Sequence, residues 1–120
     1  MAAMKAATMK LYRACSAAEW ADIQTTGGFR CIPSSMQGHW FAESAADAAR
    51  WGNLLYPAVN QPFVVVEVEV PTAAADLLFR LLKLDNIGPA RFADDGELVI
   101  INQAKVGTIQ GVVHAQPRTP

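Results

Sequence analysis

The residues of this chain best equipped for chemistry fall into three short stretches: "LYR" ending at Arg13, "GHWFAES" over 38–44, and "ADDGE" ending at Glu97. Arg13 carries a planar fork of N–H donors, which can hold a phosphate or carboxylate through two parallel hydrogen bonds or form an ordinary surface ion pair. Trp40 and Phe41 are neighbours, so on an extended strand their rings point to opposite sides; one can wall a cleft while the other enters the core. His39 has the near-neutral titration that suits proton transfer, although a satisfied structural imidazole is the simpler role. Asp94, Asp95 and Glu97 form the densest carboxylate group, and an exposed turn explains them equally well. Ser34 and Ser35 follow Pro33, where hydroxyls serve turn geometry or touch a ligand.

The elements that must position these residues can be read from caps and periodicity. "MKLYRAC" reads as a first strand, and "SAAE" from Ser16 has the form of a capping box that opens a helix carrying Trp20 and Ile23 and ending at Gly27-Gly28. "FRCIPSSMQG" reads as a loop and "HWFAE" as the next strand. Ser44 then caps a second helix, "AADAARWGN", which should stop near Gly52. "PFVVVEVEVP" is the clearest strand, with Val66, Val68 and Val70 on one face and Glu67 and Glu69 on the other, solvated one. "TAAADLLFRLLKL" fits either a short helix or a strand flanked by a helical turn. "DNIGPARFADDG" is turn-rich and leads into two further strands, "ELVIIN" and "TIQGVV". The expected domain spans 10–113, between a loosely ordered N-terminus over 1–9 and a tail over 114–120. Its order of elements implies an α+β fold, a small mixed or antiparallel sheet with two N-terminal helices.

Composition narrows the partners. The chain has 120 residues, 52% of them hydrophobic, and a formal net charge of −1 from 10 basic and 11 acidic side chains. That describes one compact domain with no overall field to draw it to nucleic acid or anionic lipid, so an anionic ligand must be held by local geometry. Cys15 and Cys31 form neither a C-x-x-C pair nor a Cys/His cluster, which gives little support to a metal site or a disulfide framework. No run approaches the roughly 20 apolar residues of a membrane span.

Taken together, "LYR", "GHWFAES..DAARWG", "VVEVEVP" and "LDNIGPARFA" resemble a toxin-type domain found at the C-termini of large bacterial polymorphic-toxin and Rhs proteins. The plan also resembles the ADP-ribosyltransferase superfamily, in which a small split sheet holds NAD in a central cleft. The resemblance spans roughly residues 10 to 113. It implies that Arg13, at the end of the first strand, contacts NAD phosphates or ribose, with Tyr12 and Ser35 beside it. It implies that Trp40 stands where a tyrosine stacks on nicotinamide, with Phe41 behind it. It implies that Glu97, near the start of a late strand, steadies the positive charge that grows on the sugar as nicotinamide leaves. Asp94 and Asp95 are the alternative carboxylates. The Ser-Thr-Ser segment and the Gln/Glu-x-Glu loop of the arginine-modifying toxins are missing, which leaves the acceptor open: protein, nucleic acid or water.

The same resemblance implies action in the cytoplasm after delivery as the C-terminal part of a secreted protein, and a cognate immunity or antitoxin protein. Two readings of other classes stand beside it. One is a small ribonuclease toxin using His39 or His114 with an arginine, disfavoured by the lack of a basic surface. The other is a non-catalytic domain that binds a partner.

Overall fold

The computed structural model describes residues 7–30, 38–56 and 62–114. Ten elements follow one another: β1 (Thr8–Ser16), α1 (Ala17–Thr26), β2 (Gly38–Ala42), α2 (Ala45–Leu55), β3 (Phe63–Pro71), α3 (Thr72–Ala75), β4 (Phe79–Leu84), β5 (Gly88–Asp94), α4 (Asp95–Ala104) and β6 (Gln110–His114). The strands form one six-stranded sheet in the order β4-β5-β2-β1-β3-β6, and every pairing in it is antiparallel. The α+β class is therefore realised in its antiparallel rather than its mixed form, and the two N-terminal helices are present. β1 also takes in Thr8 and Met9, and β6 takes in His114.

The sheet is sandwiched between helices. Leu11, Cys15, Phe41 and the even-numbered valines Val64 to Val70 form one core with Ile23 of α1, Ala75 of α3 and Leu98 and Ile101 of α4. The opposite face is smaller: Ala14, Ala42, Phe63 and Val65 pack against Ala48 and Trp51 of α2. β3 supplies both cores because alternate side chains leave a strand on opposite sides. Beyond the reach of α2, Glu67 and Glu69 stand on the solvated face, where Lys10 approaches Glu67 at 3.6 Å and the Thr8 hydroxyl donates to Glu69 at 2.6 Å.

The caps follow the sequence. The Glu19 amide donates to Ser16 Oγ at 3.1 Å and the Asp47 amide to Ser44 Oγ at 3.1 Å. Gly27 closes α1 in the left-handed conformation, at φ 82°.

Three expectations need correction. α2 does not stop near Gly52 but runs to Leu55; a Cβ at Gly52 would lie 2.2 Å from the Phe63 ring, so this glycine lets helix and sheet approach closely rather than ending the helix. Of the two readings of "TAAADLLFRLLKL", the structure takes the strand flanked by a helical turn: α3 followed by the edge strand β4. The stretch read as a turn-rich connection contains a tight turn and then a full strand, β5. Asp85 and Asn86 both have positive φ, 53° and 61°, and the Ile87 amide donates to the Leu84 carbonyl at 2.9 Å, which is the geometry of a two-residue hairpin. Pro89 is tolerated in β5 because it falls where the β4–β5 register shifts, between Leu81 and Leu84.

The third correction concerns "ELVIIN", which is helical rather than extended. Asp94 and Glu97 form a complete capping box: the Glu97 amide donates to Asp94 Oδ1 at 2.8 Å, and the Asp94 amide to Glu97 Oε1 at 3.1 Å. Leu98 and Ile101 are buried while Val99 and Ile100 are exposed, a helical period rather than a strand alternation. Among the described residues no helix is long and apolar enough to cross a membrane.

Candidate functional site

β1 lies at the centre of the sheet, yet it is held very differently on its two sides. It pairs with β3 along its whole length, from Thr8↔Pro71 to Ser16↔Phe63, but with β2 at the single position Tyr12↔Ala42. β2 in turn pairs with β5 from Gly38↔Asp94 to Ala42↔Ala90. Beyond Tyr12 the two central strands part, and a cavity of about 680 Å³ occupies the opening. That volume falls within the usual range for small-molecule sites.

One end of the cavity is charged. Arg13 Nε and Nη2 donate to the two carboxylate oxygens of Glu19 at 2.6 and 3.1 Å, and Nη1 donates to the Trp40 carbonyl at 3.1 Å. The guanidinium thus stitches β1 to the first turn of α1 and, across the opening, to β2. Glu19 Oε2 also accepts from the Cys15 thiol at 3.2 Å and faces His39 Nε2 at 3.8 Å. Burial alone would raise the Glu19 pKa, but the hydrogen bonds and charge of Arg13 outweigh it and hold the carboxyl below its usual range. Burial, and then Arg13, push the His39 pKa down, so the ring is neutral near pH 7. Burial, reinforced by Glu19, pushes the Cys15 thiol far up and leaves it protonated and unreactive.

The other end is aromatic. Tyr12 and Trp40, which share the α2 side of the sheet, meet Trp51 of α2 and Tyr56, the residue that caps its end. Trp40 packs on Phe92 with ring centroids 5.1 Å apart, Trp51 Nε1 donates to Asp85 in the β4–β5 turn at 3.1 Å, and Tyr56 stacks on Phe63. Indole and phenol rings anchored in this way present fixed apolar faces to a planar ligand.

Arg13, Tyr12 and Trp40, singled out from the sequence, therefore come together in one cavity. Phe41 does not join them. It is fully buried in the core on the other face, edge-on to Phe29 at 5.0 Å, because alternation turns it away from Trp40. Ser35, like Ser34 and Cys31, lies outside the described residues, as does the side chain of His114. Glu97 sits at the start of α4 with its carboxylate in the capping box, and neither it nor Asp94 and Asp95 line the cavity.

Glu19, which lines the cavity together with Asp22 and Asp85, was missed. Its "SAAE" context advertises a cap, and the cap is half formed: its amide uses Ser16, while its side chain turns to Arg13 instead of the helix end. The signal that could have found it is simple. A strand with Arg13 in the half that leads into the turn, followed by a helix with an acidic first turn, places opposite charges six residues apart across one reversal.

No family model, curated protein or solved structure matches this chain. Among the described residues there is no group of three or more His, Cys, Asp or Glu side chains that could hold a metal ion. What the cavity offers is therefore a buried guanidinium and carboxylate at one end, flat aromatic walls at the other, and a neutral imidazole between the strands.

Proposed function

We propose that the cavity binds a nucleotide of the NAD type and that the protein cleaves the bond between nicotinamide and ribose, passing ADP-ribose to a macromolecule or to water. The observation that carries this reading is the meeting of Arg13 and Trp40 at the place where β1 and β2 part. A dinucleotide needs a phosphate donor and a ring platform within one cleft, and these residues supply both.

Each residue has a role in keeping with its surroundings. The Arg13 bonds to Glu19 and Trp40 leave N–H groups on both Nη atoms for the pyrophosphate. Trp40, with Trp51 and Tyr12 beside it, gives nicotinamide a stacking face. When the C–N bond breaks, its electron pair leaves with nicotinamide and the sugar becomes cationic; water or an acceptor nucleophile then adds at that carbon and loses a proton. Of the carboxylates that line the cavity, Glu19 is the one held by Arg13, and a fixed negative charge in a dry site favours the cationic sugar. Glu97 serves α4 instead.

Incubation with NAD is expected to release nicotinamide. Trp40→Ala should weaken NAD binding with the fold kept, and Glu97→Gln should keep full activity because glutamine still completes a capping box. A folded sample that neither binds NAD in calorimetry nor releases nicotinamide would overturn the assignment and leave a partner-binding domain. RNA cleavage without NAD would point to the ribonuclease class.

A further inference from the structure

β4 is an edge of the sheet: β5 pairs with one side of it, and on the other side its backbone N–H and C=O groups have no neighbouring strand. The side chains do not hide this edge. Leu82 and Leu77 are the two most exposed large apolar residues among those described, at 75% and 65%, and Phe79 is 59% exposed. Edges are commonly blunted by proline, by a bulge or by charge. β4 contains no proline, and its register shift lies at the hairpin end, between Leu81 and Leu84, so Phe79, Arg80 and Leu81 keep regular register with Phe92, Arg91 and Ala90.

Charge is the remaining device, and it has one sign. Glu43 accepts from Arg80 Nε and Nη2 at 2.6 and 3.0 Å and from Arg91 Nε at 3.0 Å, while Arg91 Nη1 donates to Asp76 at 3.2 Å. Three cations, Arg80, Lys83 and Arg91, thus stand against two carboxylates, and among the described residues none pairs with Lys83.

We propose that the free edge of β4 receives an extended segment of a partner protein in which carboxylates alternate with apolar residues, added to the sheet as a further strand. The backbone edge selects an extended peptide, which brings both donors and acceptors. Alternation follows from the two sides of β4. Phe79 is in register with Phe92 and, through it, with Trp40 on the α2 side, whereas Arg80 is on the opposite side with Arg91. Successive side chains of the added strand leave it on opposite sides, so apolar residues meet Phe79 and carboxylates meet Arg80, with Lys83 toward the hairpin end. A second copy of β4 fits badly, because antiparallel pairing of the two brings both Arg80 and both Lys83 onto one short ladder. Phosphates of a nucleic acid suit the cations, but they bring only acceptors to an edge that also needs donors. The surface does not depend on the nucleotide reading; it touches that cavity through Phe79, whose ring centroid lies 6.3 Å from that of Trp40.

The probes are two blocked peptides of about eight residues, one alternating valine with glutamate and the other valine with lysine. The glutamate peptide is expected to shift the β4 amide resonances of the labelled protein and slow their exchange. It should bind roughly tenfold more tightly than the lysine peptide, as when two exposed charge contacts turn from repulsive to attractive. That preference should vanish at about 1 M salt, where the screening length is about 3 Å. Lys83→Glu, a change at an exposed position, should remove most of it with the spectrum elsewhere unchanged. Equal binding of the two peptides, shifts confined to residues outside β4 and β5, or no shift at millimolar peptide would overturn the proposal. So would a concentration-dependent dimer that protects β4 without peptide, which makes the occupant a second copy. Shifts at β4 caused by oligothymidylate and not by the glutamate peptide would overturn it in favour of nucleic acid.

Discussion

Arg13 and Glu19 are each mostly withdrawn from solvent, their side chains 20% and 15% exposed, so neither charge is tolerable without the other. Removing one partner of such a pair is more damaging than replacing both. Glu19→Gln is therefore expected to cost about 2–4 kcal/mol in urea unfolding, while an apolar replacement of Arg13 and Glu19 together should cost less. Acid sensitivity follows from the same cluster. The depressed His39 pKa means that the unfolded chain takes up a proton first, below about pH 6.5. Stability is then complete above that value and falls as pH drops through the window beneath it. The lowered Glu19 carboxyl adds a second loss in the carboxylate range, again as pH falls. Unfolding free energies measured between pH 4 and 8 should show the first loss in the parent and not in His39→Phe. At this scale the sequence was half legible: Arg13 and Trp40 are recognisable from residue type and strand position, whereas Glu19 is hidden because one short motif serves either a cap or an ion pair, and only the turn between β1 and α1 decides which.

Caps were the most readable feature of the elements. Ser16 and Ser44 act as their spacing indicates. Asp94-x-x-Glu97 carries the same signature, but there the β-branched run in "ELVIIN" pointed the other way, and the cap together with helical burial of Leu98 and Ile101 prevails over β propensity. Asp94→Ala is expected to lower stability by about 1 kcal/mol, and Glu97→Gln to leave it nearly unchanged, as measured by thermal unfolding. Gly52 makes the opposite point, since a residue that reads as a helix stop is a contact surface. With Phe63 in the way of any Cβ, Gly52→Ala should destabilise by about 1–3 kcal/mol, despite the gain in helix propensity. Asn102 shows what pattern reading does not reach. Its side chain accepts from the Phe29 amide and donates to the Phe29 carbonyl, both at 2.8 Å, closing α4 onto the segment after α1 as a strand partner would. That contact spans 73 residues of sequence, and nothing local announces it.

At the scale of the molecule, β1 and β3 form the most continuous ladder and bury a core on each face, while β4 and β6 are edges. Phe79 and Leu82 of β4 are exposed, as is Val112 of β6. Amide hydrogen exchange should accordingly be slowest along β1 and β3 and fastest along β4 and β6, with β2 protected only toward β5; uniform protection of β2 on both sides would contradict the parting of the central strands. The class of the fold was legible because strands and capped helices were, but the sheet order was not, since it depends on which strands neighbour β1 rather than on any local pattern.

The single rung between β1 and β2 has a further consequence. It divides the sheet into β4-β5-β2 and β1-β3-β6, and neither half is a continuous piece of chain: the connections β1 to β2, β2 to β3, β3 to β4 and β5 to β6 each pass from one half to the other. A cut anywhere between Tyr12 and Asp85 therefore parts residues that line the cavity, and a ligand bridging the two halves recognises the folded sheet rather than either half alone. Its binding energy is added in full to global stability, so a melting temperature that rises with ligand concentration, together with protection against every cleavage at once, would be its signature.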